Sequence, residues 1–172
     1  VGVRAKGQTR EARSFWWDRE AQREADVLRA VIFDADTALP DVEHDGPWTD
    51  LVDAVMSLFV TGIWVCVVST RSRAEVQTQV RQLLGDGLVE TIVTIDDLAE
   101  PDTAFARSGE LYRLALWELG ITPRAALAVT GSGCALRTSA AAGLPAVFVD
   151  NRELSAASCQ QAHRRWWIRQ AA

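Results

Sequence analysis

Lysine is almost missing from this chain: Lys6 is the only one, and every other basic side chain is arginine or histidine. Methionine occurs once, at Met56, and cysteine three times, at Cys66, Cys134 and Cys159. The cysteines are odd in number, scattered and free of any CxxC spacing. That argues against a disulfide framework and against structural zinc, and for a reducing compartment, with the cytoplasm as the default. No apolar run reaches the roughly 18 residues a membrane span needs, so no membrane insertion is expected. The stretch VGVRAKGQTREARSFWWDRE is charged and then aromatic, with no apolar h-region, so it does not read as a secretory signal. Internal repeats, low-complexity tracts and long linkers are absent too. No motif arranges a serine–histidine–acid or cysteine–histidine set.

What is present is a chain of 172 residues, 48% hydrophobic, long enough for one domain with a full core. The formal net charge of -5 argues against nucleic acid as a partner. Arginines gather at the ends (Arg4, Arg10, Arg13 and Arg164, Arg165, Arg169), but Glu11, Asp18, Glu20 and Glu24 interleave with the first group, as on a solvated helix face.

Short apolar runs alternate with helical patterns. The runs Ala30–Phe33, Ile63–Val68, Glu90–Thr94, Ala126–Val129 and Pro145–Val149 have the length and β-branched content of buried strands. Between them, Leu51, Val55, Leu58 and Phe59 share one helical face. Val76, Val80, Leu83 and Leu84 share another, closed by Gly85, and Leu111, Leu114, Ala115 and Leu119 a third, ended by Gly120. A fourth helix is expected over Ala135–Ala142. Residues 1–29 form an N-terminal extension, helical from about 14 to 28 with Ser14 as its cap. Residues 30–150 form the core, and 151–172 a C-terminal helix packed on it. The tryptophan pairs Trp16, Trp17 and Trp166, Trp167 either pack these terminal helices on the body or form an apolar patch for a partner. Strand–helix alternation with short loops predicts an α/β, Rossmann-like three-layer sandwich around a five-stranded parallel sheet.

In such sheets ligands bind beyond the carboxyl ends of the strands. There, VIFDADTAL delivers Asp34 and Asp36 directly after the first strand. Two carboxylates one residue apart can serve one pocket, one as nucleophile and one as proton carrier, or can simply cap a turn. Ser69 and Thr70 end the second strand. Gly131-Ser132-Gly133 follows the fourth, as a tight turn or as an anion cradle lacking the lysine of a P-loop. Arg71 and Arg73 follow Ser69 at the start of the next helix, contacting a phosphate or a partner acid, or solvated at the surface. His44 lies in the loop beyond Asp36, and His163 among the arginines of the last helix.

The series Asp34-Ala35-Asp36-Thr37-Ala38-Leu39, the strand IWVCVVSTRSRAEV ending at Ser69, TIVTIDDL, LYRLALWELGITPRAALAV and SGCALRTSAAAGLPAVFV resembles the haloacid dehalogenase superfamily over about Val31 to Val149. It is most similar to the phosphoglycolate phosphatase and β-phosphoglucomutase-like branch. The resemblance implies an aspartyl-phosphate mechanism. Asp34 would attack a phosphoryl group and Asp36 would protonate the leaving oxygen. Ser69 and Thr70 would bind the phosphoryl oxygens, and magnesium would be held by Asp34 and Asp36.

Three departures stand against that implication. The family's third-motif lysine has no counterpart, and Arg107 is the nearest substitute, one position offset. The adjacent acids of the fourth motif are replaced in Ala128-Val129-Thr130-Gly131-Ser132, and magnesium usually takes one or two carboxylates with phosphate and water. The helical cap of the branch has no room, because only Thr37 to Ile63 separates the first two motifs and a helix already fills part of that span. Two functions are therefore expected. One is a weak phosphatase or phosphotransferase acting on a phosphorylated substrate, with weakly bound magnesium. The other is an inactive relative without a cofactor, binding a protein partner or assembling as a homo-oligomer.

Overall fold

The computed structural model describes residues 27–40, 49–99, 104–149 and 154–170, with backbone only for residues 49 and 104–108. Five parallel strands, β1 (Ala30–Asp34), β2 (Trp64–Ser69), β3 (Thr91–Thr94), β4 (Ala126–Thr130) and β5 (Ala146–Phe148), lie in the order β3-β2-β1-β4-β5. The helices are α1 (Thr49–Val60), α2 (Arg73–Leu84), α3 (Ala104–Leu119), α4 (Gly133–Ala141) and α5 (Ala156–Gln170).

Strand side chains alternate between faces, and two separate cores follow from that alternation. Val31 and Phe33 of β1, Val65 and Val67 of β2, and Leu127 and Val129 of β4 pack on one face with Val55 and Leu58 of α1, Val76, Val80 and Leu83 of α2, and Ala156 and Cys159 of α5. Ile32, Cys66, Val68, Ala126 and Ala128 point the other way, onto Leu111, Tyr112, Ala115 and Leu116 of α3. This is the three-layer α/β arrangement that the strand–helix alternation predicts. Both faces of β1 are covered and it has a neighbour on each side, so all five of its residues are buried.

The local signals account for most element ends. Gly85 terminates α2 at φ 74°, a backbone conformation natural to glycine, with its N–H donating to the Arg81 carbonyl at 3.0 Å. The start of α2 is a reciprocal capping box: Ser72 accepts from the Glu75 amide, and the Glu75 carboxylate accepts from the Ser72 amide. α4 begins at Gly133, two residues before the expected Ala135, because Ser132 caps it by accepting from the Ala135 amide at 3.1 Å. The expected N-terminal helix over 14 to 28 lies outside the described residues except at its end, where Val27 and Leu28 are not helical. There Leu28 is buried and the Arg29 amide donates to the Ala125 carbonyl at 2.8 Å, drawing the chain into the sheet instead. α5 packs on α1 and β4, and Trp166 and Trp167 meet edge to face with ring centres 4.6 Å apart. Trp16, Trp17 and His44 lie outside the described residues.

Candidate functional site

The carboxyl ends of β1, β2 and β4 meet around a cavity of about 370 Å³. Asp34, Asp36, Thr37, Ser69 and Thr70 line it, together with Tyr112 from α3 and Ser132 and Cys134 from the start of α4. Strand alternation explains who faces whom. Asp34 continues the phase of Ile32, so it leaves the sheet on the α3 side, where Tyr112 is packed. Ser69 continues the phase of Val65 and Val67.

The two aspartates have opposite surroundings. Asp34 is buried, and its carboxylate accepts from the Asp36 amide at 3.1 Å and from the Thr37 hydroxyl at 2.6 Å. Burial pushes its pKa up; the Thr37 hydrogen bond offsets part of this and the nearby Asp36 charge adds to it. Asp36 is held by three consecutive residues of the β2–α2 turn. Its Oδ1 accepts from the Ser69 hydroxyl and from Arg71 Nε at 3.1 Å, and its Oδ2 from the Thr70 amide at 2.7 Å and the Thr70 hydroxyl at 2.6 Å. Burial alone would raise its pKa, but the bonds from Ser69, Thr70 and Arg71 outweigh it and hold the carboxyl below its ordinary value.

Arg71 completes this latch. Its guanidinium also donates to the Ala35 carbonyl and to Gln79 of α2, and Gln79 in turn donates to the Pro40 carbonyl at 3.0 Å. Sequence reasoning left Arg71 open between a phosphate, a partner acid and solvent; its partner is Asp36. Arg73 pairs with Asp97 at 2.6 Å, and its amide bonds Asp96, away from the cavity. Among the described residues no arginine lines the cavity. The Arg107 side chain lies outside the described residues. Ser69 and Thr70 stand at the cavity wall as the motif spacing predicts, but both hydroxyls are committed to Asp36.

The fourth-motif position is closed by backbone. The Gly131 amide donates to the Thr37 hydroxyl at 2.9 Å, and a Cβ placed on Gly131 would fall inside the van der Waals shell of the Thr37 carbonyl oxygen. No side chain fits there while the turn after β1 keeps its shape. Thr130, where the other fourth-motif acid would stand, has a buried hydroxyl with no hydrogen-bond partner. Among the described residues no group of three or more His, Cys, Asp or Glu is placed to hold a metal ion. Asp34 could offer a carboxylate and Asp36 a backbone carbonyl, the side-chain oxygens of Asp36 being taken, but position 131 offers no third ligand, so the residues present fit magnesium poorly.

Tyr112 is the residue that sequence reasoning missed. It is only 2% exposed, it lines the cavity, and its hydroxyl has no hydrogen-bond partner. An unmade hydrogen bond on a buried polar group costs about 1–3 kcal/mol, so this one calls for an explanation. The available signal was compositional: Tyr112 is the sole tyrosine and shares the buried helical face of Leu111, Ala115 and Leu116.

No family model matches the sequence, and no curated protein matches it. Solved structures do. CbbY from Rhodobacter sphaeroides, in complex with xylulose-(1,5)bisphosphate, aligns with TM-score 0.50 and 27% identity over 60% of this chain and 46% of that one. The chain thus spans under half the length of CbbY. A beta-phosphoglucomutase homologue from Thermotoga maritima aligns with TM-score 0.55 and 13% identity over 83% of this chain and 99% of that one. The cobalt-bound deoxy-D-mannose-octulosonate 8-phosphate phosphatase of Haemophilus influenzae aligns with TM-score 0.50 and 12% identity over 85% and 90%. With its five-stranded parallel sheet and these structural neighbours, the chain has the core fold of the haloacid dehalogenase superfamily.

Proposed function

We propose that this chain is a metal-independent binding domain on the haloacid dehalogenase fold, with the phosphoryl-transfer chemistry of that fold lost. The observation that carries this reading is the contact of Gly131 with the backbone of Thr37, which removes the fourth-motif ligand and the space for one. The state of Asp36 supports it. A general acid works best with a pKa near the operating pH, whereas the bonds from Ser69, Thr70 and Arg71 hold the Asp36 carboxyl below its ordinary value. Among the described residues, no cation lines the cavity to balance a phosphate beside two carboxylates. Losing one preorganised electrostatic contact costs roughly 100- to 1000-fold in rate, and both the metal site and the lysine are gone.

A weak aspartyl-phosphate activity at Asp34 is the second reading, favoured by the position of Asp34 at the cavity wall directly after β1. The two are separated by hydrolysis of an aryl phosphate with and without magnesium, beside the Asp34→Asn variant. Equal background from both proteins, with no change on adding magnesium, is the expected result. Magnesium-dependent turnover that vanishes in the variant would establish the second reading and overturn the first.

A further inference from the structure

We propose that residues 14–26 of this chain dock as a helix on the face formed by the ends of α1 and α5, with Trp17 and Ala21 against Phe59, Val60 and Ile168, and Glu20 and Glu24 beside Arg164 and Arg165. The contact is independent of the chemistry at Asp34. It follows first from where the described chain starts. Leu28 is buried in the core shared by α1, α2 and α5, whereas Val27 beside it is exposed. The Arg29 amide donates to the Ala125 carbonyl, and the Arg29 carbonyl accepts from the Trp64 amide, both at 2.8 Å. The chain therefore enters at the amino end of the sheet, between the starts of β2 and β4. Two helices end there. α1 stops at Val60, and the Ile63 amide bonds the Leu58 carbonyl just before β2 begins at Trp64. On the other side, His163 of α5 contacts the Arg124 carbonyl at 2.6 Å, and the Arg124 guanidinium lies 4.6 Å from the Trp167 ring centre.

Those helix ends carry apolar surface. Val60 is 79% exposed and Ile168 68%, Phe59 is exposed too, and Met56 lies one turn before Phe59 and Val60 on the same side of α1. Large apolar side chains gathered in this way mark a contact. Charge selects the occupant. α5 holds Arg164, Arg165 and Arg169 and no acid, and none of the three is ion-paired among the described residues. Arg164 and Arg165 precede Ile168 by one turn, on its side of the helix. The segment SFWWDREAQREAD, residues 14–26, is the complement. At helical spacing Trp17, Glu20, Ala21 and Glu24 share one side, and Arg19 and Arg23 fall on the other. As a helix it would span about 20 Å, against about 10 Å across β2, β1 and β4, so it reaches both helix ends. Joined to Val27, it meets the face at an effective concentration on the order of millimolar.

Hydrogen exchange on the whole chain, read by mass spectrometry at two protein concentrations, tests the contact in wild type, Val60→Asp and Arg165→Glu. In wild type the amides of residues 17–25 should exchange at least about tenfold more slowly than those of an unstructured chain, equally at both concentrations. Both substitutions should remove that protection. Each falls on an exposed side chain, and unchanged protection of the β1 amides shows that the domain remains folded. Unprotected amides over 17–25 in wild type overturn the proposal, as does protection that survives either substitution. Protection that grows with concentration also overturns it, and assigns the face to a second copy of the chain. None of these results touches the metal-independent reading, which fails only on magnesium-dependent hydrolysis.

Discussion

Asp34 and Asp36 are separated by one residue, yet the fold treats them as different chemical groups. The sequence places both after a strand and is silent on the difference, because it arises from Ser69, Thr70 and Arg71, more than thirty positions away in the chain. Linkage gives each a sign. Asp34 binds its proton more tightly folded than unfolded, so its contribution is complete below its ordinary value of 3.8 and is lost as pH rises through the raised folded value. Asp36 binds its proton less tightly when folded, so its contribution holds above 3.8 and is lost as pH falls through the lowered value. Asp34→Asn should therefore be more stable relative to wild type at pH ~7 than at pH ~4, the gain growing as pH rises through the raised folded value. Asp36→Ala should destabilise it by about 2 kcal/mol, because Arg71 and the Ser69 and Thr70 donors lose a charged acceptor. Urea midpoints across that pH range check both. The pair was legible in the sequence as carboxylates after a strand. Tyr112 was not, because a buried aromatic on a helix face looks the same whether or not its hydroxyl finds a partner.

At the scale of elements, turns decide more than strands do. Helical spacing and apolar runs predicted every described strand to within a residue or two at each end. Buried elements announce themselves by pattern. The turn over Ala35 to Leu39 does not, because its course depends on how closely Gly131 lets the Thr37 backbone approach. The Ser72 to Glu75 capping box is legible in the sequence as Ser-x-x-Glu and fixes the start of α2 just after Arg71. A direct consequence concerns position 131. Gly131→Ala should cost about 1–3 kcal/mol as the new methyl pushes Thr37 aside. Gly131→Asp should cost at least as much and still confer no magnesium-dependent rise in melting temperature, because the carboxylate enters space the turn already fills. Calorimetry of both variants with and without magnesium decides it. A magnesium-dependent rise in Gly131→Asp would show that the turn yields readily.

For the molecule as a whole, stability is concentrated in the central strand. β1 is paired on both sides and packed on both faces, so its amides should be exposed only when the entire domain opens. Native-state hydrogen exchange should find the Val31, Ile32 and Phe33 amides slowest, at the global unfolding free energy, with those of the short edge strand β5 faster. Phe33→Ala, at 1% exposure, should lower that free energy by about 3–5 kcal/mol. The fold class was legible because this architecture leaves its signature in every strand. The same architecture separates the site from the scaffold that carries it. Asp34, Thr130 and Gly131 lie at the carboxyl ends of β1 and β4, beyond the residues that hold the two cores together. The contact of Gly131 with Thr37 also gives the lineage a direction. An acid appearing at position 131 is harmful until the turn after β1 has moved, and a moved turn gains nothing until the acid appears. On the metal-independent reading proposed above, each step back toward a metal site is disfavoured when taken alone, so loss of the metal would behave as a ratchet.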